Sequence, residues 1–232
     1  MGIKTTLVDV NGEHFTEATS TVTLTDHVAY KNLDMDKTYT LTGTLYVKDG
    51  DALTEMMTET VDFQPTETSG TQDVTFTFDA SDLDGHTFVA YEQMYDVKTG
   101  ALIGTHEDIN DEDQSVHAPK LRTTATNKKD GSHSVKLSKK VTVVDVVKYT
   151  NLVPGKTYEV QGTLYDKATK KPLKINGKKV TASTKFVAKK FGKKEWIMYS
   201  ATFSVVVYAI LFFFPLENPM LFIIINGICY LG

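Results

Sequence analysis

The chain has 232 residues, room for one or two domains, and its 23% charged and 41% hydrophobic residues describe a globular protein rather than a disordered one. The net charge of −4 hides a split: residues 1–118 carry 23 acidic and 5 basic residues (net −18), residues 119–232 carry 6 and 20 (net +14), which argues against a uniformly basic nucleic-acid binder. The single cysteine, Cys229, excludes an intrachain disulfide, a Cys-rich zinc site and a CxxC redox motif.

In chain order, Met1 to Asn11 holds one lysine and no apolar run, so it does not read as a secretory signal peptide. Its Met-Gly-Ile-Lys-Thr-Thr start meets the short myristoylation pattern, but the plainer reading is a strand that begins abruptly. Val22, Leu24, Asp26, Val28 and Tyr30 then share one face of a strand, with an acid among four hydrophobes. Tyr39, Leu41 and Leu45 alternate with Thr38, Thr40, Thr42 and Thr44; Val74, Phe76 and Phe78 alternate with Thr75 and Thr77. This is the period-two pattern of half-buried strands. Asn11-Gly12, Asp49-Gly50, Ser69-Gly70, Asp84-Gly85 and Thr99-Gly100 mark the turns.

The pattern then repeats. Thr25-Asp26-His27-Val28-Ala29-Tyr30-Lys31-Asn32-Leu33 returns as Val144-Asp145-Val146-Val147-Lys148-Tyr149-Thr150-Asn151-Leu152, and Gly43-Thr44-Leu45-Tyr46 as Gly162-Thr163-Leu164-Tyr165, each 119 residues on. Ile3-Lys4-Thr5-Thr6 returns as Leu121-Arg122-Thr123-Thr124 at a displacement of 118. The repeating unit is therefore a whole domain. About seven or eight short strands in some 118 residues predict an all-β, immunoglobulin-like β-sandwich. The second copy is traceable to about Ala188, and nothing after it resembles Val74 to Val116. The expected organisation is a complete repeat over 1–118, a truncated repeat over 119–190 and an apolar tail over 191–232.

Several polar residues fall on inward faces. Asp26 and Asp145 do so in both copies, Thr5 lies with Ile3 and Leu7, Glu92 with Phe88, Ala90 and Met94, and Gln114 with Val116 and Ala118. An unpaired buried carboxylate is costly or takes up a proton, so the recurrence of the aspartate calls for a partner.

These residues carry a resemblance. Ile3-Lys4-Thr5-Thr6, Thr25-Asp26-His27-Val28-Ala29-Tyr30, Val89-Ala90-Tyr91-Glu92 and His106-Glu107-Asp108-Ile109-Asn110-Asp111-Glu112-Asp113-Gln114-Ser115-Val116 resemble the Thr–Gln ester-bond domains. These are the VaFE-type repeats of Gram-positive surface proteins and adhesin stalks. The likeness covers 1–118 and, in part, 119–188; Tyr91 stands where that family usually has Phe. It implies an ester between Thr5 and Gln114, assisted by Asp26, Glu92 and His106. Thr6 is the rival nucleophile; alternation favours Thr5, which points inward with Ile3 and Leu7. It also implies a structural piece of a surface stalk, with neighbouring repeats and a host ligand as partners. The location implied is the surface or wall of a Gram-positive cell, and the chain reads as a fragment.

The chemistry is reasonable. A threonine hydroxyl is a weak nucleophile until a base accepts its proton. A glutamine amide is a poor acyl donor unless its nitrogen leaves protonated, a role open to His106. Two neighbouring carboxyls push one pKa upward, so one of them keeps a proton with which to polarise the Gln114 carbonyl. Each domain would react once, on itself, with no cofactor.

The alternative is a crosslink-free sandwich that takes calcium or a host glycan through Asp108, Asn110, Glu112 and Asp113. The glycine and flanking helices of a calcium-binding EF-hand are missing, so no metal site is assigned. His14, His27, His86 and His117 read as surface histidines, with His117 on the face opposite Gln114. The lysine pairs of the second copy read as solvated turns and strand ends. Trp196 to Leu216 gives 21 uncharged residues, enough to span a bilayer, but Lys189, Lys190, Lys193 and Lys194 precede it and no sorting motif accompanies it. A disrupted reading frame is the favoured explanation of the tail, with a membrane segment as the rival.

Overall fold

The computed structural model describes residues 2–136, 141–166, 168–189, 201–207 and 228–231. It divides into two compact units, Met1–Lys120 and Leu121–Gly232.

The first unit is a sandwich of two antiparallel sheets. Strands β1 (Gly2–Lys4), β2 (Leu7–Asp9), β3 (Val22–Lys31), β4 (Tyr39–Asp49) and β5 (Ala52–Phe63) are followed by β6 (Gly70–Phe78), β7 (Thr87–Asp96), β8 (Leu102–His106) and β9 (Ser115–His117). In one sheet β3 is central: β6 pairs along one edge, and β1 and β2 line up along the other. The other sheet runs β5-β4-β7, with β8 and β9 sharing the far edge of β7. Leu24, Val28, Leu41, Leu45, Val74, Phe76, Phe88, Ala90, Met94 and Val116 fill the space between them with almost no exposed surface. Each such side chain contributes roughly 1.5–3 kcal/mol by leaving water.

Two interruptions prepare the site. Between β1 and β2 the register against β3 continues, and Thr6 exchanges backbone hydrogen bonds with His27 in both directions. Alternation in an antiparallel ladder then turns the Thr5 N–H away from β3, leaving it free for another partner. Between β8 and β9 the chain leaves the edge of β7. His106 lies opposite Glu92 and Ser115 opposite Val89, so residues 107–113 form an excursion containing a 3-10 turn over Glu112–Gln114. Asp111 caps that turn by accepting from the Asp113 N–H at 2.9 Å. The excursion brings His106 and Gln114, eight apart in sequence, side by side along one strand.

The second unit contains β10 (Lys120–Asn127), β11 (Val141–Thr150), β12 (Thr157–Thr163), β13 (Lys174–Ile175), β14 (Lys178–Lys179), β15 (Thr181–Val187), β16 (Ala201–Val207) and β17 (Ile228–Leu231). Local devices of the first unit recur. Asn32 and Asn151 both take left-handed backbone, at φ 59° and 61°, which asparagine tolerates better than most residues. The hydroxyls of Tyr39 and Tyr158 accept the N–H five residues upstream, from Asp34 at 3.0 Å and Val153 at 2.9 Å.

Beyond Ala188, two strands appear where no resemblance to the first copy is legible. β16 pairs with β11 in a register that sets position 203 opposite Asp145, as β6 sets Val74 opposite Asp26. β17 pairs with β12 as β7 pairs with β4, position 231 being the register partner of Tyr158 as Asp96 is of Tyr39. Of the 196–216 segment, residues 201–207 are thus strand, and the rest lies outside the described residues. Among the described residues no helix is long and apolar enough to cross a membrane.

Candidate functional site

All five residues singled out in the first repeat converge. Thr5, Asp26, Glu92 and Gln114 have no exposed surface, and the His106 side chain is 21% exposed. The Thr5 N–H, turned away from β3, donates to His106 Nδ1 at 3.1 Å. This makes Nδ1 the unprotonated nitrogen. The Thr5 hydroxyl lies 3.1 Å from the same atom and donates its proton there. On the far side of the ring, His106 Nε2 lies 3.2 Å from Asp111 Oδ2, close enough for an ion pair when the ring is charged. Thr5, His106 and Asp111 therefore form a hydroxyl–imidazole–carboxylate relay, with the imidazole held in the tautomer that accepts a hydroxyl proton. Thr6, by contrast, spends its backbone on the ladder with His27.

Gln114 is locked at both ends of its amide. Its Nε2 donates to Ala90 O and to His106 O, each at 2.9 Å. Its Oε1 accepts from the Asp108 N–H at 3.0 Å. The expectation that a protonated carboxyl polarises this carbonyl is replaced here by a backbone donor. The excursion that displaces residues 107–113 is what aims that N–H inward. His106, read from the sequence as serving the leaving nitrogen, meets it through its main-chain oxygen, while its ring faces Thr5.

Asp26 on β3 and Glu92 on β7 face each other between the sheets. None of their four carboxylate oxygens meets a donor when both groups are ionised. One shared proton resolves this, and the environment favours it. Burial, then the neighbouring Asp26 charge, pushes the Glu92 carboxyl well above its usual range. Burial likewise raises Asp26, opposed by the Glu92 carboxyl, the Thr6 N–H, His27 and the Thr5 hydroxyl. The pair holds a proton at neutral pH, shared between two carboxyls that burial raises, and the Thr5 hydroxyl and His27 favour the charge on the Asp26 side.

Three contributors were not assigned from the sequence. Asp111 sits in the acidic run without a feature that separates it from its neighbours. The Asp108 N–H has no side-chain signature at all. Gly43 does have one: a glycine inside an otherwise regular strand, which often marks close approach. It lies directly across from Glu92. A Cβ there would overlap Glu92 Oε1 and sit 2.8 Å from Phe76 Cζ and 2.9 Å from Val74 Cγ1.

His117 is not the free surface histidine expected. Its ring meets the Thr87 hydroxyl at 3.0 Å and Glu112 Oε2 at 3.0 Å, bracing the other side of the 3-10 turn. The acidic loop spends carboxylates on its own turns, Asp108 accepting from the Asn110 N–H and Asp111 from the Asp113 N–H. Among the described residues no group of three or more His, Cys, Asp or Glu side chains is arranged to hold a metal ion.

In the second repeat Asp145 is buried, neither of its oxygens has a hydrogen-bond partner among the described residues, and burial raises its pKa to about 6. No histidine follows His133, the only glutamine after Gln114 is Gln161, and the only acids after Asp166 are Glu195 and Glu217.

The first repeat is an immunoglobulin-like sandwich whose first and last strands meet at a buried threonine, glutamine and carboxyl pair beside a half-buried histidine. The chain belongs to the family of T-Q ester bond containing domains, whose model matches residues 1–118 and again 119–207. Among curated proteins none matches the sequence. Solved structures with a likeness include a bacterial adhesin from Mobiluncus mulieris containing intramolecular disulfide, isopeptide and ester bond cross-links. It has 14% identity over 82% of this chain and 74% of the adhesin, with a TM-score of 0.47. Salmonella alpha-2-macroglobulin reacted with methylamine has 9% identity over 99% of this chain and 15% of its own, at 0.29. Escherichia coli alpha-2-macroglobulin activated by porcine elastase has 13% identity over 89% and 22%, at 0.28.

Proposed function

We propose that the first repeat closes an ester between Thr5 and Gln114, once per domain, and that the protein is a load-bearing stalk segment of a bacterial surface adhesin. The observation that carries this is that one residue holds both reactants. The His106 ring accepts from Thr5, and the His106 carbonyl accepts from the Gln114 amide.

The reaction follows from that arrangement. The Thr5 oxygen attacks the Gln114 carbonyl carbon as its proton passes to His106 Nδ1, and Asp111 stabilises the resulting imidazolium. Negative charge builds on the former Oε1, where the Asp108 N–H is already aimed. The Asp26 carboxylate, kept beside the hydroxyl by the proton on Glu92, orients the nucleophile and offers a second acceptor. His106 returns its proton to the amide nitrogen, the C–N bond breaks, and ammonia leaves past the Ala90 and His106 carbonyls. The dry core supplies proximity, and no external substrate is consumed.

The second repeat retains Thr123 and Asp145 as counterparts of Thr5 and Asp26. A stalk needs strands that do not peel under load, and a Thr5–Gln114 bond ties the first strand line to the last. Neighbouring repeats and a host ligand are the partners this role requires, at the surface of a Gram-positive cell.

An intact-mass spectrum of the full chain tests the bond. The expected mass is one ammonia below that of the sequence, with Thr5 and Gln114 in one crosslinked peptide after digestion. The full sequence mass in folded, long-incubated protein would overturn the assignment.

A further inference from the structure

The arm of the second repeat that corresponds to the β4–β5 hairpin is built differently from its counterpart. In the first repeat Thr44 pairs with Thr58; in the second Thr163 pairs with Thr181, with four more residues between them. The character of the segment also inverts. Residues 45–57 hold Lys48, Asp49, Asp51 and Glu55, whereas residues 164–180 hold six lysines and one acid, Asp166.

The extra length makes two turns that spring from one clasp. Leu164 donates to Val180 O at 3.0 Å, Leu173 to Leu164 O at 2.8 Å, and Val180 to Leu173 O at 3.0 Å. Next to this clasp Asp166 N–H donates to Lys171 O and Lys170 N–H to Asp166 O, both at 2.9 Å, closing a first turn. The β13–β14 hairpin rises beside it, closed by Asn176 and Gly177 at φ 51° and 77°, the backbone of a tight type I′ turn. Lys170, Lys171, Lys174, Lys178 and Lys179 are all exposed on these two turns. None of the five has an ion-pair partner among the described residues, and Asp166 is occupied by the Thr169 N–H and hydroxyl. Lys174 and Lys179 stand directly opposite each other in the ladder. Like charges so placed oppose folding. A hairpin that sets them side by side presents paired positive charge to a multivalent anion.

We propose that this arm is a binding site for a linear sulfated polysaccharide. Lysine offers compact point charges rather than the planar fork of arginine, which suits single sulfate esters spaced along a chain. Residues 168–180 contain no aromatic side chain, so the stacking platforms of a single-stranded nucleic-acid site are missing. Leu173, Ile175 and Val180 are partly covered, which leaves no apolar face to enter a lipid surface. The site is independent of the Thr5–Gln114 bond.

The test uses the full chain on immobilised heparin, with unsulfated heparosan and a DNA duplex as competing probes. Lys174→Gln/Lys178→Gln/Lys179→Gln is compared with Lys128→Gln/Lys129→Gln/Lys136→Gln, which removes the same charge elsewhere in the repeat. Heparin binding at physiological salt should fall more than tenfold for the first variant and less than threefold for the second. The slope of log affinity against log salt should drop by up to about three for the first. Heparosan should compete poorly. The first variant should melt no lower than the parent, because it relieves a like-charge pair. Equal losses in the two variants, competition by heparosan equal to heparin, or tighter binding to DNA would each overturn the proposal.

Discussion

Thr5→Ala removes the nucleophile, and its effect can be worked out from the fold. The bond would close a loop of about 110 residues, from the first strand line to the last. In the loop-entropy treatment a crosslink of that span removes about 5 kcal/mol of unfolded-state freedom at 25 °C. For a domain of this size about 4 °C of melting temperature accompanies each kcal/mol, so losing the bond should lower Tm by about 20 °C. The substitution also deletes a methyl and a hydroxyl from a buried position, costing about 1–2 kcal/mol by itself. Thr5→Ser separates the two contributions, because it keeps the hydroxyl and loses the methyl. The serine variant should still lose ammonia and melt within several degrees of the parent. The alanine variant should keep the full sequence mass and melt far lower. Calorimetry and intact mass on the same samples decide it. If the two variants melt together with the same mass deficit relative to sequence, or with none, the reasoning fails.

His106→Ala should abolish or strongly slow ammonia loss in a folded domain, Asp111→Asn should slow it through loss of imidazole positioning, and Thr6→Ala should leave it intact, all read by mass against time. Gly43→Ala should push the Glu92 carboxyl off its position, slowing crosslinking at least tenfold in protein that still shows native β circular dichroism; an unchanged rate would remove Gly43 from the site. The carboxyl pair should make the uncrosslinked Thr5→Ala protein less stable as pH rises. Raised folded pKa values mean its contribution is fully present below the ordinary values of 3.8 and 4.5 and is lost as pH climbs through the folded ones. Adding Asp26→Asn should flatten that profile above neutrality, and an unchanged slope in urea titrations would contradict the shared proton. Asp145 obeys the same sign: with its pKa raised from 3.8 to about 6, its stabilisation is lost as pH rises through 6. Asp145→Asn should therefore stabilise the second unit above pH 6, by at most about 3 kcal/mol; destabilisation at pH 8 would show that the carboxylate has a partner.

Much of the first repeat could be read before its structure, because period-two alternation states which side chains turn inward. Asp26, Thr5, Glu92 and Gln114 all stand out as polar residues on apolar faces, and all four are buried. Alternation is silent where the chain leaves the ladder. The seven-residue excursion between His106 and Gln114 decides that the Gln114 carbonyl meets the Asp108 N–H and that Asp111 reaches the His106 ring. Neither contact has a periodic signature. His117 was misread for the same reason: Glu112 comes to it through the turn, not along the strand. The tail failed differently. Unbroken apolar runs do not distinguish a strand from a buried or membrane helix, so the strands at 201–207 and 228–231 leave no mark that composition can detect.

The two repeats show which part of the chemistry is inseparable. In the first, burial of Asp26 is tolerable because Glu92 shares its proton and the Thr5 hydroxyl lies beside it. Glu92 in turn fits only because Gly43 has no side chain. Gly162 keeps that opening in the second repeat, yet the sequence beyond Asp166 offers only Glu195 and Glu217 as acids and neither a histidine nor a glutamine. Among the described residues neither oxygen of Asp145 has a hydrogen-bond partner, so an aspartate that shares a proton in one domain is a pH-dependent cost in the other. An isolated aspartate thus has no structural value of its own at this position. The aspartate gains a use only where a second carboxyl and a hydroxyl are gathered around it, as they are in the first repeat.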